Sequence, residues 1–180
     1  MKILAISGSL RAASHNRAVL EAARGLAPSG VAIELCEVIG KLPFFNSDLE
    51  AKRLPEQVAG FRKAIGAADG LLISSPEYAR GVSGVMKNAL DWLVGSQEFP
   101  GKPVALINTS PRATHALAAL TLTLETMSAV VIGDASITLP LLGTANDARS
   151  IAANPDLAEP LRRAIERFAQ AIANRRRQKA

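Results

Sequence analysis

The sequence predicts a doubly wound α/β fold, a five-stranded parallel sheet with helices on both faces. Three observations carry this: five short apolar runs, a helix-like segment after each, and polar loops where a run ends. The first run, Ile3, Leu4, Ala5 and Ile6, is continuous. That is the pattern of a strand buried on both faces. Further strands are expected at 31–35, 70–74, 102–107 and 129–132. Helical spacing occupies 15–27, 56–67, 83–94, 113–127 and 155–175, with Pro155 and Pro160 compatible with the first turns of the last helix. Ligands of such a fold bind beyond the C-terminal ends of the strands, near the reversal in strand order. The loops after strands one, three and four fall on that edge.

Composition narrows the class. A chain of 180 residues that is 48% hydrophobic supplies the core of one domain, 1–180. No apolar run approaches the roughly 20 residues needed to cross a bilayer, so no membrane partner is expected. Met1-Lys2 leads straight into a strand, without the pattern of a secretory signal. The lone cysteine, Cys36, excludes an internal disulfide framework, fits a cytoplasmic location, and is expected to be buried and inert. The net charge is +5, and residues 161–180 hold seven basic groups against one acidic, or +6, leaving −1 for the rest. Basicity confined to the last helix reads as a solvated face that complements the negative helix end, so no nucleic-acid partner is expected, the alternative being a nucleic-acid or membrane contact through these arginines.

Two loops carry the chemistry. In the first, Gly8-Ser9-Leu10-Arg11 runs on to Ser14-His15-Asn16 at a helix start. Ser9, Ser14 and Asn16 offer hydroxyl and amide donors, Arg11 a planar charged fork, and the backbone a nest of N–H groups, which together suit a phosphate. The pattern is neither the P-loop nor the dinucleotide G-x-G-x-x-G. A strand-to-helix turn with a serine cap is the plainer alternative. His15 reads either as a further anion contact or as a solvent-facing loop residue, and His115 as a helix-start residue.

The second loop is Ser75-Pro76-Glu77-Tyr78-Ala79-Arg80-Gly81. Pro76 stiffens it, Gly81 and Gly84 permit close backbone approach, and Tyr78 is the only tyrosine of the chain. A planar ring could lie here, with the N–H groups of residues 77–79 donating to its heteroatoms as charge develops on reduction. The alternative is an ordinary turn with Ser83 as N-cap. The Pro-interrupted connection 40–55 adds Phe44 and Phe45, which either cap the core or cover a ligand or subunit contact.

The segments 8–20 (GSLRAASHNRAVL), 42–50 (LPFFNSDLE) and 75–93 (SPEYARGVSGVMKNALDWL) closely resemble the NAD(P)H-dependent FMN reductases, the flavodoxin-like group that includes quinone and chromate reductases. The resemblance runs in register over about the first 110 residues. It implies a flavodoxin-like fold and FMN as cofactor, with the phosphate at Ser9, Arg11, Ser14 and Asn16 and the isoalloxazine along Pro76, Glu77, Tyr78 and Gly81. Ser110 and Arg112 would flank the pyrimidine side, although the family's third loop commonly contains glycine and 110–115 has none.

The implied reaction passes a hydride from NAD(P)H to FMN and then electrons to a small acceptor such as a flavin or quinone. No side-chain nucleophile, acid–base pair or metal is required, since the cofactor performs the chemistry. A non-enzymatic flavodoxin-like electron carrier is the alternative. The resemblance also places Asp91 and Trp92, with Phe44 and Phe45, beside a two-fold interface, implying a homodimer or homotetramer. Trp92 as a core anchor is the competing reading.

Overall fold

The computed structural model describes residues 1–141 and 147–179, except the side chain of Lys179, one of the seven terminal basic groups. The main sheet has the order β2-β1-β3-β6-β7 and is parallel throughout, from β1 (Lys2–Ser7), β2 (Ala32–Leu35), β3 (Gly70–Ser74), β6 (Pro103–Asn108) and β7 (Val130–Val131). Two further strands, β4 (Glu77–Tyr78) and β5 (Gly81–Val82), form a separate antiparallel hairpin absent from the sequence expectation. The chain runs outward from β1 to β2 on one side and to β3 on the other. The reversal in strand order therefore lies between β1 and β3, where the first two loops emerge.

Alternation along β1 shows why the run is apolar throughout. Leu4 and Ile6 pack into a core with Phe61 and Ile65 of α3 (Glu56–Ala67), Leu90 and Leu93 of α4 (Gly84–Val94), and Leu120 and Leu124 of α5 (Thr114–Thr126). Ile3 and Ala5 point the other way, onto Val19 and Leu20 of α1 (His15–Leu26), Ile151 of α6 (Ala148–Ala153), and Leu161, Ile165 and Phe168 of α7 (Pro155–Lys179). A strand with helices on both faces has no polar side to show.

The fifth strand departs from the expected 129–132. Only Val130 and Val131 pair with β6; a 3₁₀ turn at Gly133–Ala135 follows, and β8 (Ile137–Thr138) then resumes pairing with β6 at Ile107 and Asn108. The Leu106 N–H, left at the break, donates to Ser136 Oγ at 3.0 Å, and that hydroxyl donates to the Ile132 carbonyl at 2.9 Å. A side chain thus replaces one rung of the ladder.

The connection 40–55 is more ordered than its prolines suggest, with a 3₁₀ turn at Ile39–Lys41 and α2 (Ser47–Lys52), N-capped by Asn46, whose side chain accepts from Asp48 N–H at 2.8 Å. Trp92 is 0% exposed and donates through Nε1 to the Pro43 carbonyl at 2.7 Å. Phe45 meets it edge-on, with ring centroids 5.0 Å apart at 77°. Asn88 adds two bonds, donating to Pro43 O at 3.0 Å and accepting from Phe45 N–H at 2.8 Å. Trp92 is consequently a core anchor that fastens the loop to α4, not a surface residue at an interface. Asp91 pairs with Lys87 on its own helix. Of the three aromatics Phe44 projects furthest, at 89% exposure against 38% for Phe45.

The basic helix α7 is not merely solvated. Arg176 pairs with Asp69, Arg162 pairs with Glu159 at 2.7 Å, and Arg167 donates to the Asp134 carbonyl at 3.3 Å. Asp69 also accepts the Lys2 N–H at 2.7 Å, so one carboxylate ties α7 to the start of β1.

Candidate functional site

At the reversal point the two loops meet on Gly8. Its N–H donates to the Ser74 carbonyl at 2.8 Å, carrying the β1–β3 pairing one residue past Ser7. A Cβ there would lie 2.3 Å from Ser75 Oγ and 2.8 Å from Ser75 Cβ, so the position demands glycine. Ser83, the N-cap of α4, accepts from Met86 N–H at 3.4 Å and donates to the Gly8 carbonyl at 2.7 Å. The close approach expected at Gly81 and Gly84 occurs at Gly8 instead. A Cβ at Gly81 would make only a 3.5 Å contact with the Tyr78 carbonyl, and one at Gly84 would meet nothing within 4 Å.

The first loop supplies a donor-rich end. Ser14 is the N-cap of α1, its hydroxyl accepting from Arg17 N–H at 3.3 Å, while Ser9 Oγ accepts from Arg11 N–H at 3.4 Å. These short-range bonds curl the chain so that Ser9, Arg11, Ser14, His15 and Asn16 border one cavity of about 340 Å³. The first N–H groups of α1 have no intrahelical acceptor and are suited to an anion. Behind the loop, Arg17 grips Glu37 through two bonds of 2.8 and 2.9 Å and Glu21 through one of 2.8 Å. The Glu37 bond, chiefly, raises the Arg17 pKa and holds the Glu37 carboxyl below its ordinary value. Arg17 is thus committed elsewhere. Arg11 and Arg112 have no ion-pair partner among the described residues.

Asn16 does more than its loop position suggests. It is 7% exposed, and its Oδ1 accepts from Ser74 Oγ at 2.8 Å and Thr109 Oγ1 at 3.3 Å. One carboxamide oxygen therefore links the ends of α1, β3 and β6. Its Nδ2, which no described group accepts from and which is not sealed from solvent, remains for the cavity.

The opposite wall is the β4–β5 hairpin. Pro76, Glu77 and Tyr78 border the same cavity, and Tyr78 stands 54% exposed at its rim. The two-residue turn places Ala79 at φ 49° and Arg80 at φ 60°, both in the left-handed region. Turns of this hand favour Asn-Gly, which is why the hairpin is hidden in the sequence. Gly81 pairs with Tyr78 and sits one step outside the cavity lining. Glu77 is the single acidic side chain among the described lining residues, and its Oε2 accepts the Ala116 N–H of α5 at 2.8 Å.

The third loop closes the site. Ser110 and Arg112 border the cavity, as do Asn108 and Thr109 at the end of β6. Asn108 folds this loop by donating to the Ser110 carbonyl at 2.7 Å and accepting from Ser110 N–H at 3.2 Å. Sequence reasoning missed Asn108 as a site residue and Glu77 as a helix cap. The signal for Asn108 was an amide directly after an apolar strand; for Glu77 there was none, because its partner lies 39 residues away. Cys36 is half-buried rather than buried, and burial pushes its thiol pKa up, keeping it protonated.

A parallel sheet of this order, with a polar cleft at its β1/β3 reversal, defines the flavodoxin-like class of nucleotide-binding folds. Residues 1–141 match the family described as NADPH-dependent FMN reductase, and the chain belongs to that family. It is 46% identical over 112 residues to an NAD(P)H-dependent FMN reductase of Pseudomonas aeruginosa, covering 61% of this chain and 60% of that protein. To a 2-hydroxy-1,4-benzoquinone reductase of a Burkholderia species it is 42% identical over 113 residues, 61% of each chain. The matched region thus spans about 60% of the length of these curated relatives. Among solved structures, the flavoenzyme NAD(P)H:(acceptor) oxidoreductase FerB of Paracoccus denitrificans superposes with a TM-score of 0.79 at 29% identity, covering 96% of this chain and 97% of that one.

The cavity fits FMN by the chemistry of its donors. One end gathers a guanidinium without an ion-pair partner among the described residues, two hydroxyls and an amide; the other is a proline-stiffened backbone beside a tyrosine ring. The acidic side chain between them is turned to a helix start.

Proposed function

We propose that this protein is an FMN-dependent reductase that oxidises NAD(P)H and reduces a small acceptor of the quinone class, with residues 1–180 acting as one FMN-binding domain. The observation that carries this reading is a single cavity with an anion-binding end and a planar end at the β1/β3 reversal. Bound FMN supplies the electron-transfer chemistry, taking electrons from the nicotinamide and yielding them to the acceptor.

Ser9, Arg11, Ser14 and the Nδ2 of Asn16 hold the phosphate by charge-assisted bonds. Pro76, Glu77 and Tyr78, with Gly81 behind them, set the plane against which the ring lies. Backbone N–H groups of this turn stabilise charge on the ring without reorganising, because the hairpin is already folded. Ser110 and Arg112 border the third side, where Pro111 offers no N–H. The names of the relatives, quinone reductases among them, support a quinone-like acceptor over a protein partner. Pairing of Arg162 and Arg176 with carboxylates supports the reading that α7 is structural rather than a nucleic-acid surface.

The test is anaerobic spectrophotometry of protein loaded with FMN. Bleaching of the flavin band by NADPH or NADH, reversed by a benzoquinone, is the expected result. A stably bound flavin that neither nicotinamide bleaches would mark an electron carrier, and failure to retain FMN would overturn the reading. The free thiol of Cys36 fits a reducing cytoplasm, and among the described residues no helix is long and apolar enough to cross a membrane. Exposed Phe44, with Phe45 and Leu49 nearby in sequence, supports a homodimer or homotetramer. Sedimentation of Phe44→Ser at lower mass than the wild type is expected; a monomeric wild type would exclude it.

A further inference from the structure

We infer that Glu77 is a positioning residue, whose bond to α5 locks the ring-side hairpin and the third loop into one rigid wall; the inference rests on the flavin reading above. Glu77 and Tyr78 are consecutive in β4, so their side chains leave opposite faces of the strand. Tyr78 stands at the exposed rim, while Glu77 reaches α5 and accepts from Ala116 N–H at 2.8 Å.

Helix α5 needs this bond. Its own N-cap residue, Ala113, has no side-chain acceptor, and its first N–H groups lack intrahelical partners. A carboxylate supplied from another loop satisfies one of them and complements the positive helix end. The hairpin needs it equally. Ala79 and Arg80 hold the left-handed conformation, which persists only where the surroundings impose it. Helix α5 packs against both β4 and β5, and Ala113 at its start borders the cavity. One hydrogen bond therefore joins two walls of the site, and the backbone donors of residues 77–79 are fixed in direction by a cavity-bordering carboxylate that is bonded to α5.

The test compares Glu77→Ala with Glu77→Gln, which keeps an acceptor oxygen, and reads amide exchange in the flavin-free protein and binding of FMN and riboflavin. In the Ala variant, exchange at 77–82 and 114–116 is expected to rise about tenfold. FMN and riboflavin are expected to weaken together by about tenfold, because the loss lies on the ring side. The Gln variant is expected to restore both to within a few-fold, and circular dichroism to show an intact fold in each. Unchanged exchange in the Ala variant overturns the clamp. Faster exchange with unchanged flavin affinity, or a Gln variant as impaired as Ala, overturns the positioning role. A wild type that binds no flavin overturns the flavin reading as well, whereas wild-type binding with an unaffected Ala variant overturns the clamp's role alone.

Discussion

Within residues 7–17, the bonds from Ser9 N–H to Ser7, from Arg11 N–H to Ser9 and from Arg17 N–H to Ser14 span two or three residues each. The 77–82 hairpin instead depends on partners 39 residues away through Glu77, and its exit at Ser83 on one 75 residues away. Both border one cavity. In the first loop Ser9, Arg11 and Ser14 are set by local turns and a helix cap, and Asn16 alone of its four donors is tied to distant strands, through Ser74 and Thr109. The second is a strained turn pinned from outside. An anion site can be built locally because its ligands are the side chains and N–H groups of one turn. A surface for a planar ring needs backbone direction, which only neighbouring elements hold.

The strongest test of the local loop is Arg11→Ala. Losing a charge-assisted fork costs about 1.5–3 kcal/mol, roughly 10- to 150-fold in FMN affinity, while riboflavin, lacking phosphate, should be nearly unaffected. Equal weakening of both ligands in a fluorescence titration would remove Arg11 from the phosphate end.

The seam between the loops comes next. Gly8→Ala pushes a methyl group into Ser75 and should destabilise the fold by about 1–3 kcal/mol. The urea midpoint should fall with an unchanged slope. A wild-type midpoint would show that the loops are less tightly joined than the contact implies.

The pinned turn yields a gain of smaller size. Replacing Ala79→Asn and Arg80→Gly together gives the left-handed turn the residues it favours and should raise stability by about 1 kcal/mol. A melting temperature equal to or below wild type would mean that the turn stores no strain.

The smallest effect is expected behind the cradle. Arg17 holds the Glu37 carboxyl below its ordinary pKa. That contribution is present above the ordinary carboxylate value, about 4.3, and is lost as pH falls through the lowered one. The pair is largely exposed, so Glu37→Gln should cost less than about 1 kcal/mol at pH 7. The gap to wild type should close in acid melts. A larger or pH-independent loss would show that α1 relies on a remote tether, as the hairpin does.

The five longer helices were legible because apolar spacing and caps are local, whereas the six-residue α2 and α6 were not read. Helix α3 spans 56–67 as read, and α1 and α4 differ by a residue at one end. The split fifth strand was not legible, since its break is bridged by Ser136 binding Leu106, two residues joined only by sheet geometry. Nor was the burial of Trp92. An aromatic on an amphipathic helix looks alike whether it faces a partner or, as here, a loop folded back from 49 residues upstream. At the site, the donors of the first loop and the Pro-Glu-Tyr turn stood out by residue type, and the structure brings nine of the ten expected residues to one cavity.

The sequence by itself determined the parallel sheet, the edge where the site forms and the anion-suited composition of the first loop, because periodicity, capping and donor chemistry act over a few residues. Tertiary structure alone decided that Gly8 is where the loops touch, that Asn16 spends its oxygen on Ser74 and Thr109, and that Glu77 accepts from the start of α5. Each of those depends on groups far apart in the chain, whose meeting is set by how the strands stack beside one another and not by any residue's own preference.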